Sequence, residues 1–152
     1  MALTEEYRGW IIKYEYDTNS YSEARGKNKL ALQKEFGLSQ DKRKPLIAIS
    51  GRISTQKGWE LIIEVLPKLL SEREDLEVLV VGHGDERYQN ELMNIEKEYP
   101  HQLGLHLRTD FRLPRKIYSG ADMILIPSIF EPGGIVALEA MRYGAVPIVR
   151  RT

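Results

Sequence analysis

The sequence contains no cysteine among its 152 residues, which excludes disulfides and thiol chemistry and fits a reducing compartment. It carries no net charge, with 22 Lys and Arg against 22 Asp and Glu. Nothing therefore draws the chain electrostatically to nucleic acid or to an anionic membrane surface. No apolar run approaches the length of a membrane span, and the start, Met-Ala-Leu-Thr-Glu-Glu-Tyr-Arg, has no apolar signal-like core. Internal repeats and low-complexity segments are absent. The three histidines belong to no His/Asp/Glu cluster with metal-ligand spacing, so no metal is expected. His83 reads as a loop histidine, structural or exposed, and not as a catalytic base.

What remains is an ordinary globular composition, 42% hydrophobic and 29% charged, at the size of one domain. Residues 1–22 are polar and aromatic with weak periodicity and read as an irregular segment lying on the domain. Their rings, Tyr7, Trp10, Tyr14, Tyr16 and Tyr21, read as packing anchors, with a sugar platform as the functional alternative. Residues 23–152 read as the domain itself. It opens with a helix from Ser22 to Phe36 closed by Gly37, whose lysines form a solvated face.

A regular alternation follows. Strands are expected at Leu46–Ser50, Leu76–Val81, Leu103–Leu107, Met123–Ile126 and Val146–Val149. Helices are expected at Gly58–Leu70, Asp85–Glu98, Leu113–Ser119 and Gly134–Tyr143. The first of these four helices places Leu61, Ile62, Val65, Leu66 and Leu69 on one face, and Pro67 is expected to kink its last turn. Strands that are apolar throughout, alternating with helices, imply an α/β fold: a doubly wound, Rossmann-like parallel sheet of about five strands covered on both faces. Ligands of such sheets bind beyond the carboxyl ends of the strands, so those ends are where chemistry is sought.

After the first strand, Gly51-Arg52-Ile53-Ser54-Thr55-Gln56-Lys57-Gly58 makes a tight loop with two cations. Lys57 precedes a helix N-terminus, where the dipole disfavours a cation, which points to a negative ligand nearby. A guanidinium fork and an ammonium point charge together suit a diphosphate; a solvated basic loop is the plain alternative. After the second strand, Gly82-His83-Gly84 lacks the third glycine of a dinucleotide fingerprint. After the third comes Arg108-Thr109-Asp110-Phe111.

The fourth strand runs into Pro127-Ser128-Ile129-Phe130-Glu131-Pro132-Gly133-Gly134-Ile135, and a helix runs out of it. Pro132 suits a helix's first turn, and the glycines leave the following amides open to a polar or anionic ligand. Glu139 lies eight residues beyond Glu131, about 80° round a helix, so both carboxylates are expected to look toward one crevice.

Phe130-Glu131-Pro132-x-Gly134 followed by Glu139-Ala140 resembles the Glu-x7-Glu signature of nucleotide-sugar-dependent glycosyltransferases with the two-Rossmann (GT-B) architecture. Gly51-Arg52-x-x-x-Gln56-Lys57-Gly58, the helix segment Lys27 to Leu38 and the tail Arg142 to Thr152 resemble more narrowly the bacterial glycogen synthases and plant starch synthases. The likeness runs over roughly residues 23–152. It departs from the narrower family in lacking the Asn-Gly-Ile-Asp turn at the crossover, in Gly133 where Cys is frequent, and in Glu139 where Tyr is frequent. The last two lean to the wider family.

The resemblance implies roles. Arg52 and Lys57 grip the two phosphates of a sugar nucleotide, and Glu131 binds hydroxyls of the transferred glucose. The amides of Gly133, Gly134 and Ile135 face sugar and phosphates, and Glu139 takes the ribose diol. Gly51, Gly82 and Gly84 let the backbone pass the nucleotide, and Thr109 marks the strand end near the base, with Phe111 as the nearest ring. The donor is ADP-glucose or UDP-glucose, with no cofactor beyond it. The acceptor is an α-1,4-glucan, elongated with retained configuration, or another acceptor in the wider family; a non-catalytic binding module is a further alternative. By the same resemblance the chain is the nucleotide-sugar half, a fragment or truncated form, of an enzyme of the cytoplasm or, in a plant, the plastid. The acceptor would come through an N-terminal half carrying a Lys-Thr-Gly-Gly-Leu loop.

Overall fold

The computed structural model describes residues 13–110 and 112–151. Among them, helix α1 (Tyr21–Glu35) precedes an alternation of strands and helices: β1 (Leu46–Ser50), α2 (Trp59–Glu72), β2 (Glu77–Val81), α3 (Glu86–Glu98), β3 (Leu103–His106), α4 (Leu113–Gly120), β4 (Met123–Ile126), α5 (Ile135–Arg142) and β5 (Val146–Val149). The five strands form one sheet in the order β3-β2-β1-β4-β5, and every pairing is parallel. This is the expected doubly wound α/β fold.

The strands are largely apolar because they feed two cores; Glu77 of β2, fully buried, accepts hydrogen bonds from Gln33 and Ser39. Successive side chains point to opposite faces of a sheet. Leu46 and Ala48 of β1 join Leu79 and Val81 of β2 in one core, beneath α1, α4 and α5. Ile49, Val78 and Val80 face the other core with Trp59, Ile62, Leu66 and Leu92 of α2 and α3. Continuous hydrophobicity is what burial on both faces demands. The exception is β5, an edge strand whose Val146 and Val149 are exposed, so the expectation of cover on both faces fails there.

Two local expectations are corrected. In α2 the buried residues are Trp59, Ile62, Leu66 and Leu70, whereas Leu61 and Val65 are exposed. The apolar stripe read from sequence is wider than the sheet-facing surface, and Trp59, buried at the first turn, selects which half faces in. The helix also continues past Pro67 to Glu72. Finally, Lys29 of α1 is not on a solvated face. It is buried, with its ammonium donating to the Asp122 carboxylate at 2.6 Å and to the Lys42 carbonyl. Asp122 also accepts from the Leu46 amide at 2.8 Å, so this pair ties α1 to the start of β1. A buried ammonium persists only when paired in this way.

In the N-terminal segment, the Tyr16 hydroxyl donates to the Tyr143 carbonyl. The Tyr14 backbone exchanges two hydrogen bonds with the Asn28 side chain. Tyr7, Trp10 and Phe111 lie outside the described residues.

Candidate functional site

Strand order reverses between β1 and β4, the position at which open α/β sheets form a crevice. The turn after β1 and the corner after β4 meet there and are joined by three contacts. The Ile129 amide donates to the Gln56 carbonyl at 2.9 Å. Gly58, at φ +78°, sits against Pro127; a Cβ on it would overlap the Pro127 carbonyl oxygen and lie 2.8 Å from its carbon. The third contact is the ion pair Lys57 Nζ to Glu131 Oε2 at 2.7 Å.

The turn itself begins with Gly51 and Arg52 and tightens into a single 3-10 turn at Thr55–Lys57. Gly58, in the left-handed region, starts α2 from it. Trp59, 1% exposed, donates its indole N–H to the Arg52 carbonyl at 3.1 Å. The core thereby holds the backbone that carries Arg52.

On the β2 side, β1 and β2 remain paired beyond their ends. The amides of Gly51, Ile53 and Asp85 bond to the carbonyls of Val81, His83 and Ile53, with a parallel bridge between Ile53 and Gly84. A Cβ on Gly82 would collide with the Gly51 carbonyl and one on Gly84 with the Ile53 carbonyl. These glycines therefore have a packing role that the sequence reading did not contain: they let two backbones close up. His83, between them, is exposed.

Two cavities lie along this edge. One of about 220 Å³ is lined by Gly51, Arg52, Lys57, Ser128 and Glu131 among others. The next, of about 390 Å³, is lined by Gly51, Arg52, Gly82, His83, Arg108 and Thr109 among others. Arg52 belongs to both and stands where they adjoin. A hollow of about 460 Å³ between α1 and α4, walled by Lys34 and Lys116, contains no residue of these loops.

The sequence-predicted residues thus fall into groups. Arg52, Lys57 and Glu131 share the first cavity, and Arg52, Gly82 and Thr109 share the second. Gly134, at φ +58°, forms the cap of α5, which begins at Ile135. Pro132 therefore lies in the loop before the helix and not in its first turn, because the left-handed glycine sets the chain's entry two residues later. Glu139 is exposed on α5 and does not line the Glu131 cavity. Its charge acts instead on Tyr118, a buried side chain. Burial, with the Glu139 charge beside it, pushes the Tyr118 phenol up to about 12. The two carboxylates do not line one crevice: Glu131 reaches back to the turn after β1, while Glu139 projects from the helix.

Sequence reasoning missed Ser128 and Trp59. Ser128 is buried and lines the same cavity as Glu131. It lies inside the motif, three residues before Glu131, but no local signal distinguishes it from any other loop serine. Trp59 stands directly after the turn, and its indole N–H, a donor that must find a partner when buried, is the only hint of its function.

Lys57, first, and Ser128 hold the Glu131 carboxyl below its ordinary range. A carboxyl depressed by its folded environment contributes stability above its unfolded pKa, which is lost as pH falls through the folded value. A carbon-detected NMR titration is expected to place the Glu131 midpoint below 4.5, its ordinary value, and Lys57→Ala should return it upward. An unmoved midpoint in that variant would refute the ion pair in solution.

No three His, Cys, Asp or Glu side chains cluster to hold a metal among the described residues. No described helix is long and apolar enough to cross a membrane.

Comparison with known proteins agrees with this geometry. The profile of the family described as "Glycosyl transferases group 1" matches residues 32–152. Glycogen synthase 2 of Nitrosococcus oceani is 42% identical over 153 aligned positions, covering 97% of this chain and 30% of the relative. Glycogen synthase 1 of Synechocystis is 39% identical over 142 positions, covering 93% of this chain and 29% of the relative. Among solved structures, the catalytic domain of starch synthase IV from Arabidopsis thaliana, bound to ADP and acarbose, superposes with a TM-score of 0.82 at 31% identity, over 97% of this chain and 31% of that one. The C-terminal domain of a glycosyl transferase group 1 family protein from Francisella tularensis matches with a TM-score of 0.57 at 26% identity, over 77% of this chain and 63% of that domain. The chain thus spans about 30% of the length of the curated relatives it matches.

Proposed function

The chain belongs to the group 1 glycosyl transferases, and from that premise we propose that it is the donor-binding domain of a retaining glucosyltransferase resembling glycogen and starch synthases. The donor is ADP-glucose or UDP-glucose and the acceptor an α-1,4-glucan. The observation carrying this reading is the convergence of Arg52 and Lys57 with Glu131 in one cavity at the topological switch point.

In this reading Arg52, standing between the two cavities, and Lys57 bind the diphosphate. The cations stabilise the charge that develops on the leaving group, so the step needs no metal. The nucleoside lies along the second cavity, past Gly82, Gly84 and Thr109. Glu131 accepts hydrogen bonds from glucose hydroxyls, and the amides of Gly133, Gly134 and Ile135 face the sugar and phosphates. Glu139 takes the ribose diol from the exposed side of α5. The relative crystallised with ADP and acarbose supports both a nucleoside diphosphate and a glucan-like acceptor for this class. A second reading, a glycosyltransferase of the wider family with another acceptor, is favoured by Glu139 and Gly133 in the signature.

Glycosyl transfer needs donor and acceptor held together in a closed cleft. The 152-residue polypeptide presents one wall of such a cleft, with Arg52 exposed and Lys57 partly so, where salt screens them. The purified chain is therefore expected to bind ADP or UDP in a salt-sensitive manner, and not to elongate a malto-oligosaccharide primer supplied with ADP-glucose or UDP-glucose. Nucleotide release and primer length report the outcome. Elongation that vanishes in Glu131→Ala would show this polypeptide to be self-sufficient, and absence of nucleotide binding would overturn the donor-site assignment.

A further inference from the structure

The Lys57 ammonium does not stand open toward its cavity. The Glu131 carboxylate takes one of its protons at 2.7 Å, and the two side chains are only 32% and 23% exposed. The pair joins segments 74 residues apart in sequence, and the backbone around it is fixed by the Ile129–Gln56 hydrogen bond and the Gly58–Pro127 contact. Ser128, buried, lines the same cavity. The backbone on both sides of the pair is thus fixed, and Glu131 stands beside the cation where an anion would approach.

This arrangement has opposite consequences for two ligands. A bare nucleoside diphosphate reaching Lys57 meets a neutralised cation and a fixed negative charge beside it. A carboxylate offers about four lone-pair sites. Lys57 occupies one of them, and the others suit the hydroxyls of a sugar, which donate well to an ionised acceptor. A nucleotide that carries its sugar recovers in hydrogen bonds what its phosphates lose by repulsion. A nucleotide that has lost its sugar does not.

On the donor-binding reading above, we propose that Glu131 sets the preference of this site for the intact nucleotide sugar over the nucleoside diphosphate product, by neutralising Lys57 unless sugar hydroxyls engage the carboxylate. Glu131 is then a selectivity residue whose charge disfavours product, in addition to being a sugar contact. Arg52, the other cation lining this cavity, has no carboxylate partner among the described residues, so it supplies the attraction common to both ligands.

The test is calorimetry on the purified chain at low salt, with ADP and ADP-glucose and, in parallel, UDP and UDP-glucose, for the wild type, Glu131→Gln and Glu131→Ala. Removing the charge is expected to tighten diphosphate binding roughly two- to tenfold, the scale for a half-exposed charge interaction. Nucleotide-sugar binding should stay level or weaken, so that the ratio of the two affinities moves toward the product. The gain should shrink as salt is raised. If both variants lose diphosphate affinity together with nucleotide-sugar affinity, Glu131 only positions Lys57, and the inference is overturned while the donor site stands. An unchanged ratio overturns it equally. A wild-type chain that binds none of the four ligands overturns the donor site itself and the inference with it. Circular dichroism identifies a misfolded variant, and the remaining one decides.

Discussion

Gly58→Ala is expected to lower the stability of the domain by about 2–5 kcal/mol and to abolish nucleotide binding in the fraction that stays folded. Two costs combine. A left-handed backbone at φ +78° costs an L-residue about 1–2 kcal/mol. The added methyl would also overlap the Pro127 carbonyl, and overpacking against backbone costs about 1–3 kcal/mol. Relief of that overlap requires the turn after β1 to move away from the corner after β4. The same movement would lengthen the 2.7 Å contact between Lys57 and Glu131 and open the cavity they share. Gly37→Ala is the control: its φ is +70°, but nothing lies within 4 Å of the added Cβ, so only the backbone cost of about 1–2 kcal/mol applies. Urea unfolding of the two variants separates the effects, and equal losses would show that the Gly58–Pro127 approach is not what joins the two loops.

Lys57→Ala is expected to weaken ADP or UDP binding by about 1.5–3 kcal/mol, the scale of a hydrogen bond to a charged group. AMP or UMP should lose less, because the second phosphate is gone. The variant also leaves the Glu131 carboxylate in the cavity without its cation, so the charge that Lys57 offset now acts on the diphosphate unopposed. The loss should therefore be reduced by the second change Glu131→Gln, a non-additivity that a double-mutant cycle measures. Equal losses for mono- and diphosphates would remove Lys57 from the phosphate site.

The strands illustrate what was legible beforehand. β1, β4 and β5 begin and end at the residues that apolar patterning indicates, and the other elements differ by one to three residues at their ends. For β1 and β4 this follows because a strand buried on both faces has a signal in every residue; β5 is legible from its apolar run although it is exposed. The helices are less legible. In α2 the sequence offers Leu61, Ile62, Val65, Leu66 and Leu69, and only contact with the sheet shows that Ile62 and Leu66 are buried while Leu61 and Val65 face out. Lys29 is the extreme case: a lysine in a polar helix reads as solvated, and the carboxylate that buries it is Asp122, 93 residues away.

The site divides in the same way. The residues proposed to carry the chemistry, Arg52, Lys57, Glu131 and the glycines about them, are marked by short spacings that the chain keeps within single loops, so the sequence alone singled them out, along with the parallel α/β class. Their assembly is a matter of strand order. Only the tertiary structure set β4 beside β1, joined Lys57 to Glu131, placed buried Ser128 in the same cavity and separated Glu139 from it. The physical reason is range. Hydrophobic periodicity and turn chemistry act over a few residues and are visible in one dimension, whereas an ion pair or an overlap of two backbones is decided by which distant segments the packed cores bring together.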